Sequence, residues 1–453
     1  MFFNKTTFNG GVNVPGYKET TNSLPIIQAK PPHLIYLPLS MHIGAPAKSI
    51  VKPGQKVKLG ELIAKADGFI SSNIHSSVSG MVLRTERRWL PNGVISDCIV
   101  IRNDFCDTLS QEAVEPSEAS YYSPDNIRNI ILEKGIVGMG GATFPTHVKY
   151  APQKPNQAID TIIINGIECE PFITADEAAM LHQAPLLIDG IHLLMQAALA
   201  KKAIIAVEAN KVEVINHLKK LLEEEEHIKV VECVEKYPQG SEKHLVYATT
   251  KRIIAERALP ASVGVIVDNV ATTIQVAIAV NKNFPLVERI VTVSGNAIQK
   301  PGNYKVRLGT LYSDLIKETA GGHTDNLARI ISGGMMMGFS LDSLAYPIIK
   351  GTSGLLLFNH DSKLTALANE ETCVRCGKCV DICPMRLEPT LIASAVKNRA
   401  WSDALNGKVL NCIECGACAY VCPANIPLTQ YMRMGKQFIM TKGIGGQNRY
   451  YKQ

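Results

Sequence analysis

No uninterrupted apolar run in this chain reaches the roughly 18 residues that a membrane-spanning helix needs. The best stretch, 190–206, is broken by Lys201 and Lys202. The opening residues, Met1-Phe-Phe-Asn-Lys-Thr-Thr, lack the charged segment, apolar stretch and cleavage site of a signal peptide. Both absences predict a chain with no membrane span of its own, lying on the cytoplasmic side and reaching a membrane only through partners. A basic stripe interleaved with aromatics is missing too. Aromatics make up 6% of the chain, and the net charge of +6 is not gathered in one run, so nucleic acid is excluded as a partner. Nor are the cysteines spread as a disulfide framework would spread them. Eight of the twelve lie between Cys373 and Cys422, which reads as metal ligation.

What is present is the composition of a globular protein, 46% hydrophobic and 19% charged. At 453 residues the chain is too long for one core and predicts several domains. Residues 1–30 have no clear period and are expected to wrap over another domain. From Pro31 short strands are expected at 34–37, 50–51, 61–64, 79–83 and 98–101, separated by turn signals such as Pro53-Gly54, Asp67-Gly68 and Pro91-Asn92-Gly93. The polar stretch 112–125 reads as a linker. Helices are then expected at 126–133, 184–200, 211–226 and 241–256, alternating with strands at 161–165, 203–207 and 229–234. That alternation argues for a mostly parallel sheet. Short strands return over 287–311, with a short helix at 311–319.

The cysteines form two matching runs, Cys373-x2-Cys376-x2-Cys379-x3-Cys383-Pro384 and Cys412-x2-Cys415-x2-Cys418-x3-Cys422-Pro423, offset by 39 residues. Structural zinc sites use four ligands as two separated pairs. Three thiolates on one tight loop suit three corners of a cubane instead, and in this spacing the fourth cysteine ligates the other cluster. The expected ligand sets are therefore Cys373, Cys376, Cys379 and Cys422 for one [4Fe–4S] cluster, and Cys412, Cys415, Cys418 and Cys383 for the second. Between the runs, 387–401 has helical spacing. Cys98, Cys106, Cys169 and Cys233 are scattered and read as ordinary thiols. Two adjacent clusters make a wire for single electrons.

The other informative stretch is 135–149, with Gly138, Gly140 and Gly141 and then Lys149. It departs from the dinucleotide fingerprint, following a helix and carrying Thr143 where the last glycine belongs. Its glycines still allow close backbone approach to a flat or phosphorylated ligand. The loop resembles the flavin-binding loop of the NADH-oxidising flavoprotein subunit of respiratory complex I. Three further motifs follow in that family's order: Asn165-Gly-Ile-Glu168-Cys169-Glu170-Pro171, Tyr237-Pro-Gln-Gly240-Ser241-Glu242 and Asp268-Asn269-Val270-Ala271-Thr272. The resemblance implies that Gly138, Gly140, Gly141, Ala142, Lys149, Asn165, Glu168, Asn269 and Thr272 surround FMN. It also implies that Phe144, Glu170 and Glu242 lie near the bound NAD(H). Ile167 and Ser241 depart from that family's acidic positions.

The run 51–64 resembles the biotinyl/lipoyl barrel-sandwich family, but its tip, Ala66-Asp67-Gly68-Phe69, has no lysine to carry a cofactor. A docking role is expected instead. With His42-Ile-Gly-Ala-Pro-Ala, and Ser294-Gly295 to Pro301-Gly302 at the start of a β-grasp segment, the whole order resembles the C-subunit family of the Rnf ion-translocating ferredoxin:NAD oxidoreductase complex. The implied fold is multidomain α/β and α+β: an N-terminal extension at 1–30, a β barrel-sandwich (lipoyl-like) domain at 31–111, and a Rossmann-like flavin/nucleotide α/β domain at 120–285. An SLBB β-grasp domain at 286–364, a helical double [4Fe–4S] ferredoxin-like domain at 365–434 and a C-terminal tail at 435–453 complete it. The implied function is electron transfer between NAD(H), FMN and the clusters, coupled to Na⁺ or H⁺ translocation, with membrane-embedded and ferredoxin-type subunits as partners. The alternatives are a flavin/Fe–S corrinoid reductase of a bacterial microcompartment and an iron–sulfur scaffold without flavin. The A subunit of the sodium-pumping quinone reductase shares the front domains but is not expected to carry the cluster segment.

Overall fold

The computed structural model describes residues 6–113, 122–152, 158–362, 364 and 369–444. Most of the expected linker, and the tail from 445 on, lie outside the described residues. Strand β1 (Ile26–Gln28) comes from the N-terminal extension. Two small antiparallel sheets follow, built from β2 (Leu34–Pro38), β3 (Lys48–Ser49), β4 (Lys56–Val57), β5 (Leu62–Lys65), β6 (Ile74–His75), β7 (Gly80–Trp89) and β8 (Ile95–Asn103). Their orders are β2-β8-β7-β4 and β3-β5-β6, and they close over Ile35, Ile63, Ile74, Val82 and Ile99. The second short strand forms at 48–49, two residues before its expected place.

Helix α1 (Pro124–Glu133) starts where Ser123 caps the Asn126 N–H and proline takes the first turn. After α2 (Thr146–Lys149) come β9 (Thr161–Gly166), α3 (Ala175–His182), α4 (Ala184–Ala198), β10 (Lys202–Glu208), α5 (Val212–Leu221), β11 (Ile228–Cys233), α6 (Glu242–Thr250), β12 (Val265–Asn269) and α7 (Val270–Lys282). The four strands are parallel, in the order β11-β10-β9-β12. Their β-branched runs are buried on both faces, as a helix-covered parallel sheet requires. Ile162 and Ile164 pack with Leu187, Ile191 and Ile274 on one side, whereas Ile163 meets Leu245 and Val246 on the other. Helix α6 stops at Thr250, short of its expected end, because Lys251 turns left-handed (φ 61°).

A six-stranded sheet of order β1-β14-β13-β17-β15-β16 follows, from β13 (Glu288–Ser294), β14 (Gly302–Arg307), β15 (Leu327–Ser332), β16 (Phe339–Leu341) and β17 (Gly354–Asn359), with α8 (Tyr312–Glu318) against it. The extension thus supplies this sheet's edge strand, β1 running parallel to β14. Last come α9 (Lys378–Asp381), α10 (Pro389–Lys397), α11 (Trp401–Asn406), α12 (Ala417–Tyr420) and α13 (Leu428–Lys442). The helical stretch expected over 387–401 is two helices, broken where Arg399 takes φ 55°. Helix α13 runs on past 434, through the first residues assigned to the tail, because Met432, Gly435 and Ile439 are all buried.

Among the described residues no single helix is long and apolar enough to cross a membrane. One pair, α3 with α4, passes by length and composition but bends by 94°. Its residues Ala179, Leu187, Ile191 and Leu194 lie in the core of the parallel-sheet domain.

Candidate functional site

The chain runs β9 to β10 to β11 toward one edge of the parallel sheet, then crosses to the far side of β9 to form β12. The C-terminal ends of β9 and β12 therefore flank a topological switch point, where open α/β sheets place ligands. Asn165 is the next-to-last residue of β9, and Asn269 ends β12. The Asn269 carboxamide accepts from the N–H groups of Ala271 (3.0 Å) and Thr272 (3.4 Å), capping α7, and donates to Asp176 (2.6 Å). Asn165 donates to the Gly240 carbonyl (2.8 Å).

The glycine-rich loop lies over this point. Its base is closed by Gly138 N–H to Phe144 O (2.8 Å), and the Thr272 hydroxyl receives the Met139 N–H (2.8 Å). A Cβ on Gly140 would meet Asn269 at 3.3 Å, so the loop rests directly against the α7 cap. Gly140, Gly141 and Ala142 are exposed. Gly141 has φ +108° and open space where a side chain would begin. Thr143 takes φ 52°, a costly conformation for a β-branched residue. On α2, Lys149 reaches the Val267 carbonyl (2.7 Å), Glu242 (3.2 Å) and Asp268 (3.5 Å). Its carboxylate partners outweigh burial and hold its pKa above the usual lysine range. The adjoining Thr146 Oγ1 and His147 Nδ1 are buried without a partner. Exposed, side-chain-free backbone at the switch point, a cation and unsatisfied polar atoms together fit a flat, phosphorylated cofactor.

The structure gathers Gly138, Gly140, Gly141, Ala142, Phe144, Lys149, Asn165, Glu242, Asn269 and Thr272 around this point. It does not bring the two other glutamates to an open face. Glu168, at φ 49°, turns its carboxylate inward. There it accepts from the Asp176 (2.6 Å) and Glu177 (3.2 Å) N–H groups at the start of α3 and pairs with buried Lys211 (2.9 Å). Glu170 accepts from the Met336 (2.9 Å) and Met337 (3.1 Å) N–H groups and faces the Tyr237 hydroxyl (3.2 Å). Burial pushes it up to about 6. Ile167 is buried in the core beside β9, and the Ser241 hydroxyl sits 3.0 Å from His244 Nδ1.

The second centre is a pair of cavities in the cysteine-rich domain. Cys412, Cys415, Cys418 and Cys383 line one. Cys373, Cys376, Cys379 and Cys422 line the other. Each fourth cysteine thus comes from the opposite run, its loop folded across by α9 or α12. Among the described residues no three His, Cys, Asp or Glu side chains are close enough to hold a single ion, so the thiols face a space rather than a point. Burial, and then the neighbouring cysteines, push Cys415 and Cys418 up to about 12. Thiols so placed ionise only when a cationic centre compensates them, which is what iron supplies. The N–H groups of Glu414 and Leu387 point at Cys412 Sγ (3.3 Å) and Cys383 Sγ (3.4 Å).

The two centres are joined. Tyr237 donates its hydroxyl to the Cys415 carbonyl (2.7 Å), and His244 Nε2 donates to the Pro384 carbonyl (3.0 Å). Residues 10–12 of the extension lie between, with Gly11 N–H on Ile382 O (2.7 Å) and Val12 paired to Tyr237. The set containing Cys383 is therefore the inner one. In the other set Cys373 and Cys376 are exposed. Tyr237, His244 and Lys211 were not singled out from sequence. Tyr237 lay inside a recognised motif, whereas Lys211 carries no local signal.

Family models match in four consecutive blocks: RnfC barrel sandwich hybrid domain at 6–106, Nuo51 FMN-binding domain at 131–278, SLBB domain at 290–340 and 4Fe-4S dicluster domain at 365–423. The C subunit of the Na(+)-translocating ferredoxin:NAD(+) oxidoreductase complex of Acetobacterium woodii is 39% identical over 96% of this chain and 98% of its own. The proton-translocating counterpart of Clostridium ljungdahlii is 40% identical over 85% of this chain and 84% of its own. Among solved structures, an NAD+-reducing [NiFe]-hydrogenase in the H2-reduced state shares the fold, with a TM-score of 0.50 and 18% identity over 72% of this chain and 63% of that chain.

Proposed function

Because this chain belongs to the family of C subunits of ion-translocating ferredoxin:NAD(+) oxidoreductase complexes, we propose a route for its electrons from the switch point of the parallel sheet, through the inner cysteine set, to the exposed outer set. The chain is an oxidoreductase subunit that passes electrons between NAD(H), FMN and two [4Fe–4S] clusters. The matched barrel-sandwich and FMN-binding blocks, and relatives aligned over nearly the full length, do not favour the corrinoid reductase or the flavin-free scaffold. FMN, when bound, exchanges a hydride with NAD(H) and single electrons with the clusters.

The chain's own residues bind and orient. Gly138, Gly140, Gly141 and Ala142 offer backbone to the flavin, Asn165, Asn269 and Thr272 hold the loop and the α7 cap beside it, and Lys149 supplies positive charge. Phe144 and Glu242 would line the nucleotide side. Glu168 would position the α3 start, and Glu170 would hold Tyr237 and the 336–337 backbone in register. Cys383, Cys412, Cys415 and Cys418 would hold the inner cluster, and Cys373, Cys376, Cys379 and Cys422 the outer one. The observation that carries this order is the pair of hydrogen bonds from Tyr237 and His244 to the inner loops. Membrane-embedded and ferredoxin-type subunits would be the partners, on the cytoplasmic face. Two relatives of near-equal identity are named for different ions, so the coupling ion would be chosen outside this chain.

The test is an anaerobic NADH titration of the cluster-reconstituted, FMN-supplemented chain, followed by absorbance and EPR. Flavin bleaching followed by cluster reduction supports the route. Bound flavin that ignores NADH while dithionite reduces every centre would sink the nucleotide site.

A further inference from the structure

The tip of the barrel-sandwich domain, with no lysine to carry a cofactor, presents Phe69, Ile43 and Ile70 at 69%, 51% and 36% exposure. An exposed cluster of large apolar side chains on a folded domain marks a recognition surface. This one is held still. Ala66 N–H bonds Asn73 (2.9 Å), Asp67 N–H bonds the Ser71 hydroxyl (3.0 Å), and Ser71 bonds Ala45 O (2.9 Å). His42 Nε2 accepts from Ser72 N–H (2.9 Å), and Lys48 pairs with Asp67 (3.0 Å). So much local bonding around an exposed aromatic costs ordering entropy that the isolated tip does not recover.

The tip is also fastened to the glycine loop. Ile43 N–H bonds the carbonyl of Thr143 (3.2 Å), the strained residue of that loop. That anchor adjoins Phe144, which is itself half-buried. The tip that carries Phe69 is therefore fastened to the loop that carries Phe144. Apolar side chains beside a loop suited to phosphates match the two halves of a nucleotide, a flat base and a charged linkage.

We propose that the barrel-sandwich tip is part of the nucleotide site, with Phe69 forming the wall opposite Phe144 against a flat ring of the dinucleotide. This rests on the flavin and nucleotide reading of the glycine loop and assigns the front domain a role in it. The test uses the full, cluster-loaded chain and calorimetric titration, which needs no turnover. FMN is titrated first, then ADP-ribose and NAD+ into the FMN-loaded protein. Phe69→Ala, an exposed position that leaves the core intact, is expected to raise the dissociation constant for ADP-ribose or NAD+ roughly tenfold, as losing one stacked base does. FMN affinity and iron content should stay unchanged, and Phe69→Trp should restore nucleotide binding. Unaltered nucleotide binding in Phe69→Ala, as expected if the tip docks another protein, overturns the proposal. So does a loss confined to FMN. If the unsubstituted chain binds no FMN, the flavin reading fails and this inference falls with it.

Discussion

Lys350 is fully buried where three domains meet, its ammonium on the carbonyls of Asn73 (2.6 Å) and Gly135 (2.6 Å) and on the Ser72 hydroxyl (3.3 Å). Burial lowers it to about 7. Between that value and the ordinary 10.5 the folded chain holds fewer protons than the unfolded one, so this group's contribution to stability rises with pH across that window. The stability gap between the parent and Lys350→Met should widen in the parent's favour as pH rises above about 7, read from urea midpoints at each pH. A gap that does not move with pH would refute this. Single cysteines test the crossed ligand sets. Cys383→Ser should disturb the EPR signal that Cys415→Ser abolishes, and Cys422→Ser the signal that Cys376→Ser abolishes. Pairing within each run would give the opposite grouping.

At the scale of elements, the close approach of α4 and α7 decides the shape of the flavin domain. A Cβ on Gly190 would lie 2.1 Å from the Thr273 carbonyl, backbone that cannot step aside. Gly190→Ala should therefore cost about 1–3 kcal/mol, measured by chemical denaturation. Asn269 has two tasks, capping α7 and flanking the glycine loop. Asn269→Ala should cost about 0.5–2 kcal/mol of stability and weaken FMN binding, while Asn269→Asp should keep the cap. Weaker FMN binding at undiminished stability would show that the side chain serves the ligand alone.

For the whole molecule, the N-terminal extension is a strap across three domains. It pairs with Tyr237, bonds Ile382 beside the inner cysteine set and ends as β1 on the β-grasp sheet. Removing residues 1–16 should leave flavin reduction by NADH intact but slow cluster reduction and make the inner cluster more sensitive to oxygen. Stopped-flow absorbance separates the two steps. Equal rates in both would mean that the strap only supports folding.

Much of this molecule was legible in its residues because the signals are local. The cysteine spacing determined the number and type of clusters, since tight loops dictate which thiols converge. A β-branched run marked β9, helical spacing marked α4, and the ordered motifs placed the glycine loop. The strand and helix of 265–282 went unread despite the motif at their junction. Val265–Asn269 is short and α7 is apolar nearly all round, so neither has a contrasting face. Tertiary structure alone decided the rest. The partners of Glu168 and Glu170, Lys211 and the 336–337 backbone, lie remote in the chain. Tertiary structure likewise decided which cluster lies inside and which loop the barrel-sandwich tip touches. Those outcomes are set by contacts between domains, and such contacts leave no periodic trace in a linear sequence.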